Sequence, residues 1–351
     1  MKAAIFEKHG GPDVVHTAEV DTPEPGPGEV RLRVEASGMN HLDLWVRRGL
    51  PIETTMPHIG GSDVVGHIDA LGADIDVARP DGDDWAEGDR VVINPSLWCG
   101  ECEWCRKGEE SLCVDYRILG EHTQGGFAEH VVVPARNLLA LPDHLDAAAI
   151  AAGPLVFLTA WRGLVTRGRL GDGDTVLVTG ASGGVGTAAV QIAKHRGARV
   201  YAVTSTPWVD RVRALGADVV YDRTDPEVDY GRQVWAATGK RGGDVVFDSV
   251  GEATFKQNVR TLARAGRMVV YGATTGPRGE IDIRLLFWRQ LEILGTTMAN
   301  QEEFRQVMGL ILDGELTPIV DAVFDLDEAA EAHHRLEAGD AFGSIVITPG
   351  A

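Results

Sequence analysis

Apolar and polar positions give the chain two rhythms. In the first 150 residues, Val30-Arg31-Leu32-Arg33-Val34 alternates with period two, as a half-buried strand does. Pro23-Glu24-Pro25-Gly26-Pro27-Gly28 and Arg79-Pro80-Asp81-Gly82-Asp83 interrupt such runs as turns or loops. From Asp174 the rhythm changes to short apolar runs separated by helical stretches. Thr175–Thr179, Arg199–Thr204, Asp218–Tyr221, Asp244–Asp248 and Arg267–Tyr271 read as strands, with helices over 185–196, 208–215, 227–237 and 252–263. Strands alternating with helices imply a parallel sheet covered on both faces. Beyond residue 290 the pattern predicts helix 301–313, strand 318–324, helix 327–337 and strand Ser344–Thr348. The fold class expected is therefore α/β: a β-rich part joined to a doubly wound parallel sheet.

Composition narrows the function classes. The 351 residues carry 33 Lys+Arg against 52 Asp+Glu, a net charge of −19 that would repel nucleic-acid phosphates. A hydrophobic fraction of 44% and a charged fraction of 24% predict a buried core, and the length suggests two domains. No apolar run reaches the ~18–20 residues that span a bilayer, and residues 1–20 lack a signal-peptide core, so a soluble, cytoplasmic protein is expected. Only six basic residues are Lys (2, 8, 107, 194, 240 and 256), which leaves 27 Arg, and the acidic residues are dispersed. Such a surface suits a high-salt cytoplasm, where salt screens charge repulsion; an ordinary acidic enzyme is the alternative.

The run Thr175–Thr179 leads into Gly180-Ala181-Ser182-Gly183-Gly184-Val185-Gly186 and then the helical Thr187–His195. Glycines let a backbone approach a pyrophosphate, which sits at the positive end of the following helix. In its context of strand, loop, helix and second strand, the loop predicts dinucleotide binding; a tight strand–helix turn is the plainer alternative. An NAD site usually carries an acid at the end of the second strand. Here that segment is Thr204-Ser205-Thr206 without one, and Ser205, Thr206 and Arg211 are suited to a 2′-phosphate. NADP(H) is therefore expected over NAD, unless Ser205 and Thr206 merely cap the next helix.

All four cysteines, Cys99, Cys102, Cys105 and Cys113, fall in one segment spaced C-x2-C-x2-C-x7-C. Four close thiolates satisfy tetrahedral Zn²⁺, and a metal so held has no open position, which makes one structural zinc per chain the expectation. The bacterial ferredoxin spacing for an iron–sulfur cluster is not present.

These motifs resemble the medium-chain dehydrogenase/reductase superfamily of zinc alcohol dehydrogenases and quinone oxidoreductases. The resemblance also rests on Gly38-Met39-Asn40-His41-Leu42-Asp43, Gly61-Ser62-Asp63-Val64-Val65-Gly66, Gly88-Asp89-Arg90-Val91 and Gly125-Gly126-Phe127-Ala128-Glu129. Phe157-Leu158-Thr159-Ala160, Ala214-Leu215-Gly216-Ala217-Asp218 and Asp248-Ser249-Val250-Gly251 extend it over essentially the whole chain. It implies a GroES-like catalytic domain over 1–156 with the Cys lobe at 99–113, a Rossmann cofactor domain over 157–290, and a return to the catalytic domain over 291–351. Family members are dimers or tetramers, so a homo-oligomer is expected.

The departures shape the functional expectation. Where zinc alcohol dehydrogenases place Cys, His and Cys on a catalytic zinc, this chain has Asn40, Ser62 and Leu155, and every Cys already belongs to the lobe. A rebuilt metal site could draw only on His41, Asp43, His58, Asp63, His67 and His122. Without a Lewis acid the resemblance implies the zinc-free branch, in which NAD(P)H delivers hydride to a quinone or an activated double bond. A zinc alcohol or polyol dehydrogenase with a non-standard metal site is the first alternative, and a cofactor-binding protein without catalysis the second. By resemblance, Asn40 contacts the acceptor oxygen, while His41 and Asp43 are candidates for a proton relay. Thr159, Gly180, Gly183, Gly184, Val185 and Gly186 are expected on the cofactor, with Ser205, Thr206, Arg211 and Tyr221. Ser249, Gly272, Ala273 and Thr274 complete that set at the carboxyl edge of the sheet.

Overall fold

The computed structural model describes residues 1–79 and 82–350, so Pro80 and Asp81 of the Arg79–Asp83 loop lie outside the described residues. The chain divides into two compact units: Met1–Leu155 with Ala299–Ile311 and the segment from Thr317 onward, and Val156–Met298 with Leu312–Leu316.

The spine of the first unit is the strand Glu29–Met39. Its alternation is real: Val30, Leu32 and Val34 are buried, whereas Arg31 and Arg33 are not. Backbone N–H and C=O groups must be paired when buried, and this strand pairs on both edges. Asp63–Leu71 runs antiparallel along one edge, while His130–Pro134 and Ser344–Thr348 share the other in succession. The sheet continues through Arg90–Ile93 and Leu138–Ala140 on one side and Val320–Asp325 on the other. A smaller sheet joins His16–Glu19, Lys2–Phe6 and His58–Ile59.

The second unit is a six-stranded parallel sheet in the spatial order Val219–Asp222, Arg199–Thr204, Thr175–Val178, Gly243–Asp248, Leu262–Val270, Glu292–Gly295. In chain order this is 3-2-1-4-5-6, the doubly wound dinucleotide-binding arrangement. Parallel strands buried on both faces need apolar residues at every position, and Val176, Leu177, Val178, Val245, Val246 and Phe247 are all fully buried. The fifth strand starts at Leu262, before the Arg267 that the apolar run suggests, because Leu262 pairs with Gly243 ahead of a register shift. The strand Glu292–Gly295 pairs with Arg267–Val270, which keeps the chain in this sheet beyond residue 290.

The glycine-rich loop joins Thr175–Val178 to the helix Gly184–His195. A Cβ on Gly186 would stand 2.2 Å from the Gly180 carbonyl oxygen, so only glycine lets the helix start this close to the loop. Gly186→Ala is accordingly expected to lower stability by about 1–3 kcal/mol through overpacking. Thermal unfolding beside the unmodified chain checks this, and an unchanged Tm would mean that the loop yields freely.

Candidate functional site

In the first unit, two segments meet because of strand register. Gly38 pairs with Asp63, so the end of Glu29–Met39 and the start of Asp63–Leu71 lie side by side. Asn40 follows in extended conformation as the N-cap of the helix His41–Arg48. A Cβ on Gly38 would lie 2.2 Å from the Ala151 carbonyl, and this close approach brings the segment before Leu155 onto the same strand end. Asn40, Asp43, Ser62 and Asp63 are all buried.

Their hydrogen bonds form one connected set. Asn40 Nδ2 donates to Asp63 Oδ2 at 2.9 Å, and the Leu155 N–H donates to Asp63 Oδ1 at 2.8 Å. Asp43 reaches back to accept from the Asn40 N–H at 2.8 Å and takes the Gly61 N–H at 2.9 Å on its other oxygen. The first of these bonds is half of a capping box, which ties Asp43 to the helix start. Burial pushes Asp43 up to about 6 against these donors. Burial raises Asp63 to about 7, and the nearby Asp43 charge adds to the shift. Glu121, which sequence reasoning passed over, is likewise raised to about 7 by burial and by Asp43. Nothing in its Gly120-Glu121-His122 setting marks it in the sequence.

The expected relay of His41 and Asp43 is not assembled. The Asp43 carboxylate is occupied by backbone N–H groups, whereas the exposed His41 ring stands edge-on to Trp45 at 6.4 Å. The six residues weighed for a rebuilt metal site do not gather three ligands around one point. His58 Nε2 donates to the Gly120 carbonyl, His67 lies between Glu35 and the Gly88 carbonyl, and His122 Nδ1 accepts from the Ile118 N–H. Among the described residues, the four cysteines are the only group of three or more His, Cys, Asp or Glu side chains placed to share one ion.

That quartet is well formed. The Sγ atoms lie within 4.8 Å of one another, with Cys102–Cys105 and Cys99–Cys113 at 3.5 Å and Cys99–Cys105 at 3.9 Å. A tetrahedron with Zn–S bonds of ~2.3 Å has edges of about 3.8 Å, so the spacing fits zinc. Backbone N–H groups of Cys102, Cys99 and Asp115 point at Sγ atoms, which favours thiolates. The lobe is tethered by Asn300 Nδ2 to the Gly108 carbonyl at 2.8 Å and by the Arg136 guanidinium to the Trp98 carbonyl.

In the second unit, the carboxyl ends of the strands gather most of the expected cofactor residues. Gly183 is the N-cap of Gly184–His195, and a Cβ on it would meet only the Gly180 oxygen within 4 Å, so that face of the loop is open to a ligand. A Cβ on Gly180 would lie 3.3 Å from Ser249 Oγ, and both the N–H and Oγ1 of Thr274 donate to the Ser249 carbonyl at 3.1 Å. Gly272 and Ala273 line the same rim beside Ser249 and Gly251. Asp248, fully buried, is the node beneath it: Thr179 Oγ1, Thr254 Oγ1, Asn258 Nδ2 and the Gly251 N–H all donate to its carboxylate. Thr159 is buried in the helix Pro154–Trp161, with Oγ1 toward Met298 Sδ at 3.7 Å.

Two expectations at the second strand end change. Tyr221 is packed inward: its ring stacks on Tyr201 at 6.3 Å, and burial pushes its hydroxyl up to about 12. An acid does lie beside Thr204-Ser205-Thr206: Asp222, on the adjoining strand, accepts through Oδ2 from Thr206 Oγ1 at 2.5 Å. Donors from Thr206 and Thr224 hold Asp222 below the usual carboxylate range, so it is ionised. Arg211 lies over the Trp208 ring at 5.5 Å.

Comparison with known proteins follows this division of the chain. Residues 26–143 match the alcohol dehydrogenase GroES-like domain, and residues 184–313 match the zinc-binding dehydrogenase family. An NAD-dependent alcohol dehydrogenase of Sulfolobus acidocaldarius is 30% identical over 99% of each chain. An acryloyl-coenzyme A reductase of Metallosphaera sedula is 30% identical over 99% of this chain and 100% of its own. A solved NAD-dependent alcohol dehydrogenase superposes with a TM-score of 0.93 at 42% identity over 100% of both chains. No helix among the described residues is long and apolar enough to cross a membrane.

The raised carboxyl pKa of Glu121 has a definite sign in stability. Its folded value of about 7 exceeds the ordinary 4.5, so the folded state binds the extra proton between those values. Stability from this group is full below pH 4.5 and falls as pH rises to 7. Glu121→Gln removes that loss, so the variant is expected to gain stability over the unmodified chain at pH 8 and not at pH 4.5. Urea unfolding at the two pH values decides it; an equal difference at both would mean that the Glu121 carboxyl is not raised in the folded state.

Proposed function

The chain belongs to the medium-chain dehydrogenase/reductase superfamily of nicotinamide-dependent oxidoreductases, with a GroES-like domain and a zinc-binding-dehydrogenase cofactor domain, and on that premise we propose that it reduces an activated carbon–carbon double bond, with an enoyl thioester as the favoured substrate class. One observation carries the proposal. Asp63 joins the Asn40 amide to the Leu155 N–H, and by the resemblance Asn40, Ser62 and a position at about Leu155 stand where the alcohol dehydrogenases hold catalytic zinc. An enoyl thioester or a quinone brings its own electrophilicity, so the protein has to orient it and hold its oxygen.

When bound, the nicotinamide cofactor supplies the hydride. Gly180, Gly183, Gly184, Val185 and Gly186 would hold its pyrophosphate at the helix N-terminus, where N–H groups and the helix dipole favour an anion. Ser249, Gly272, Ala273 and Thr274 would border it along the sheet edge, and Thr159 is proposed on the nicotinamide side. Asn40 would donate its second amide N–H to the acceptor oxygen. Its first N–H is held by Asp63, so the donor is oriented before the substrate arrives. Exposed His41 is kept as the candidate proton donor, and Asp43 as the group that holds the start of its helix. Cys99, Cys102, Cys105 and Cys113 would hold one zinc in a closed, structural shell.

Cofactor oxidation with crotonyl and acryloyl thioesters, enones, quinones and alcohols tests the reading, together with metal content after dialysis. The expected result is turnover of the thioesters, a loss of about 10²–10³ in kcat for Asn40→Ala, and about one zinc per chain. Alcohol-dependent cofactor reduction abolished by a chelator and restored by zinc would establish the alcohol dehydrogenase alternative instead.

Cofactor choice has its own test. NADP(H) was expected from the hydroxyls of Ser205 and Thr206 and from Arg211, but the ionised Asp222 on the same rim opposes a 2′-phosphate. Asp222→Asn is therefore expected to raise kcat/KM for NADPH relative to NADH by about tenfold, roughly 1.4 kcal/mol. A ratio that stays the same would take Asp222 off the cofactor rim.

A further inference from the structure

We propose that Asp63 is the positioning residue of the site: its buried carboxylate locks the Asn40 amide and the Leu155 backbone into one arrangement, joining two positions that a metal ion joins in the zinc-type relatives. The inference deepens the reading above, since it assigns the group that orients Asn40.

The geometry is specific. Asp63 is 1% exposed and takes one donor on each oxygen, Asn40 Nδ2 at 2.9 Å and the Leu155 N–H at 2.8 Å. No Lys, Arg or His is among its hydrogen-bond or ion-pair partners among the described residues, and the charged group that acts on it is Asp43. An Asn amide is nearly symmetric in shape and can settle in either of two flips. Both Asp63 oxygens act as acceptors, one toward Asn40 and one toward Leu155, so the side chain selects the flip with the Asn40 nitrogen inward. The carbonyl oxygen of Asn40 then faces the Asp43 N–H of the capping box, and its second N–H is turned away from Asp63. Leu155 is drawn in by the other oxygen, so one side chain holds both the polar head of the site and the backbone beside it.

The position costs stability, which argues for a role beyond folding. A buried carboxylate with two neutral donors and an acidic neighbour is poorly compensated.

The test uses the full chain and the variants Asp63→Asn, Asp63→Glu, Asn40→Ala and the double variant Asn40→Ala/Asp63→Asn. An amide at 63 offers one acceptor where two donors need it, so the lock is broken with little change in volume. The chain has five Asn, and selective ¹⁵N-Asn labelling gives five side-chain amide pairs, with the Asn40 pair identified by its loss in Asn40→Ala. In Asp63→Asn the Asn40 pair is expected to move while the other four stay. The same variant is expected to lose kcat by about tenfold or more, with cofactor KM within about twofold, while the double variant is no slower than Asn40→Ala alone. Asp63→Glu keeps the carboxylate and restores part of kcat; it also serves if Asp63→Asn does not fold. An Asn40 amide that is unmoved in Asp63→Asn, or losses that multiply in the double variant, would overturn the assignment. If the unmodified chain turns over no activated alkene, the proposed function fails, and the amide spectra still decide the role of Asp63.

Discussion

The antiparallel register that sets Gly38 opposite Asp63 is the constraint on which the first unit's site depends. Backbone pairing in a buried sheet is obligatory, so once Glu29–Met39 and Asp63–Leu71 are in register, Asp63 stands beside the strand end where Asn40 begins a helix. A slip of one residue would turn every side chain of the strand to the opposite face. It would carry Val30, Leu32 and Val34 out of the core, so apolar packing and site geometry are enforced by the same register. The close contact at Gly38 then lets the Ala151 backbone approach, and Leu155 follows within hydrogen-bond reach of Asp63.

The two units organise charge in contrasting ways. In the cofactor unit, the buried Asp248 carboxylate is saturated by four donors from three segments and welds the loop to the sheet edge. In the first unit, Asp43 and Asp63 are buried and Glu121 is partly buried, with fewer donors, and the pKa of each is raised. Under-compensated charge of this kind concentrates at functional sites, where geometry is bought with stability. The cysteine quartet lies between these extremes: backbone N–H groups prepare the thiolates, and a divalent cation would complete them.

What could be read from the amino-acid order follows from the range of each interaction. The parallel sheet was legible because fully buried strands need unbroken apolar runs, as in Thr175–Val178 and Gly243–Asp248. The glycine loop and the cysteine spacing were legible because their partners are neighbours in the chain. Asn40, Ser62 and Leu155 were singled out by position alone.

Tertiary structure decided the rest, because it pairs residues that are far apart in sequence. A separation of 23 positions between Asn40 and Asp63 hides their hydrogen bond, and one of 92 between Asp63 and Leu155 hides the second. Asp43 looked like a relay partner for His41 until the fold supplied the Gly61 N–H and turned its carboxylate inward. Asp222 reached the Thr206 hydroxyl only through the pairing of adjacent strands, and that pairing also stacked Tyr221 on Tyr201. Local sequence thus determined which elements form and which chemical groups are present, whereas the register between distant strands determined which groups meet, since a hydrogen bond depends on separation in space and not along the chain.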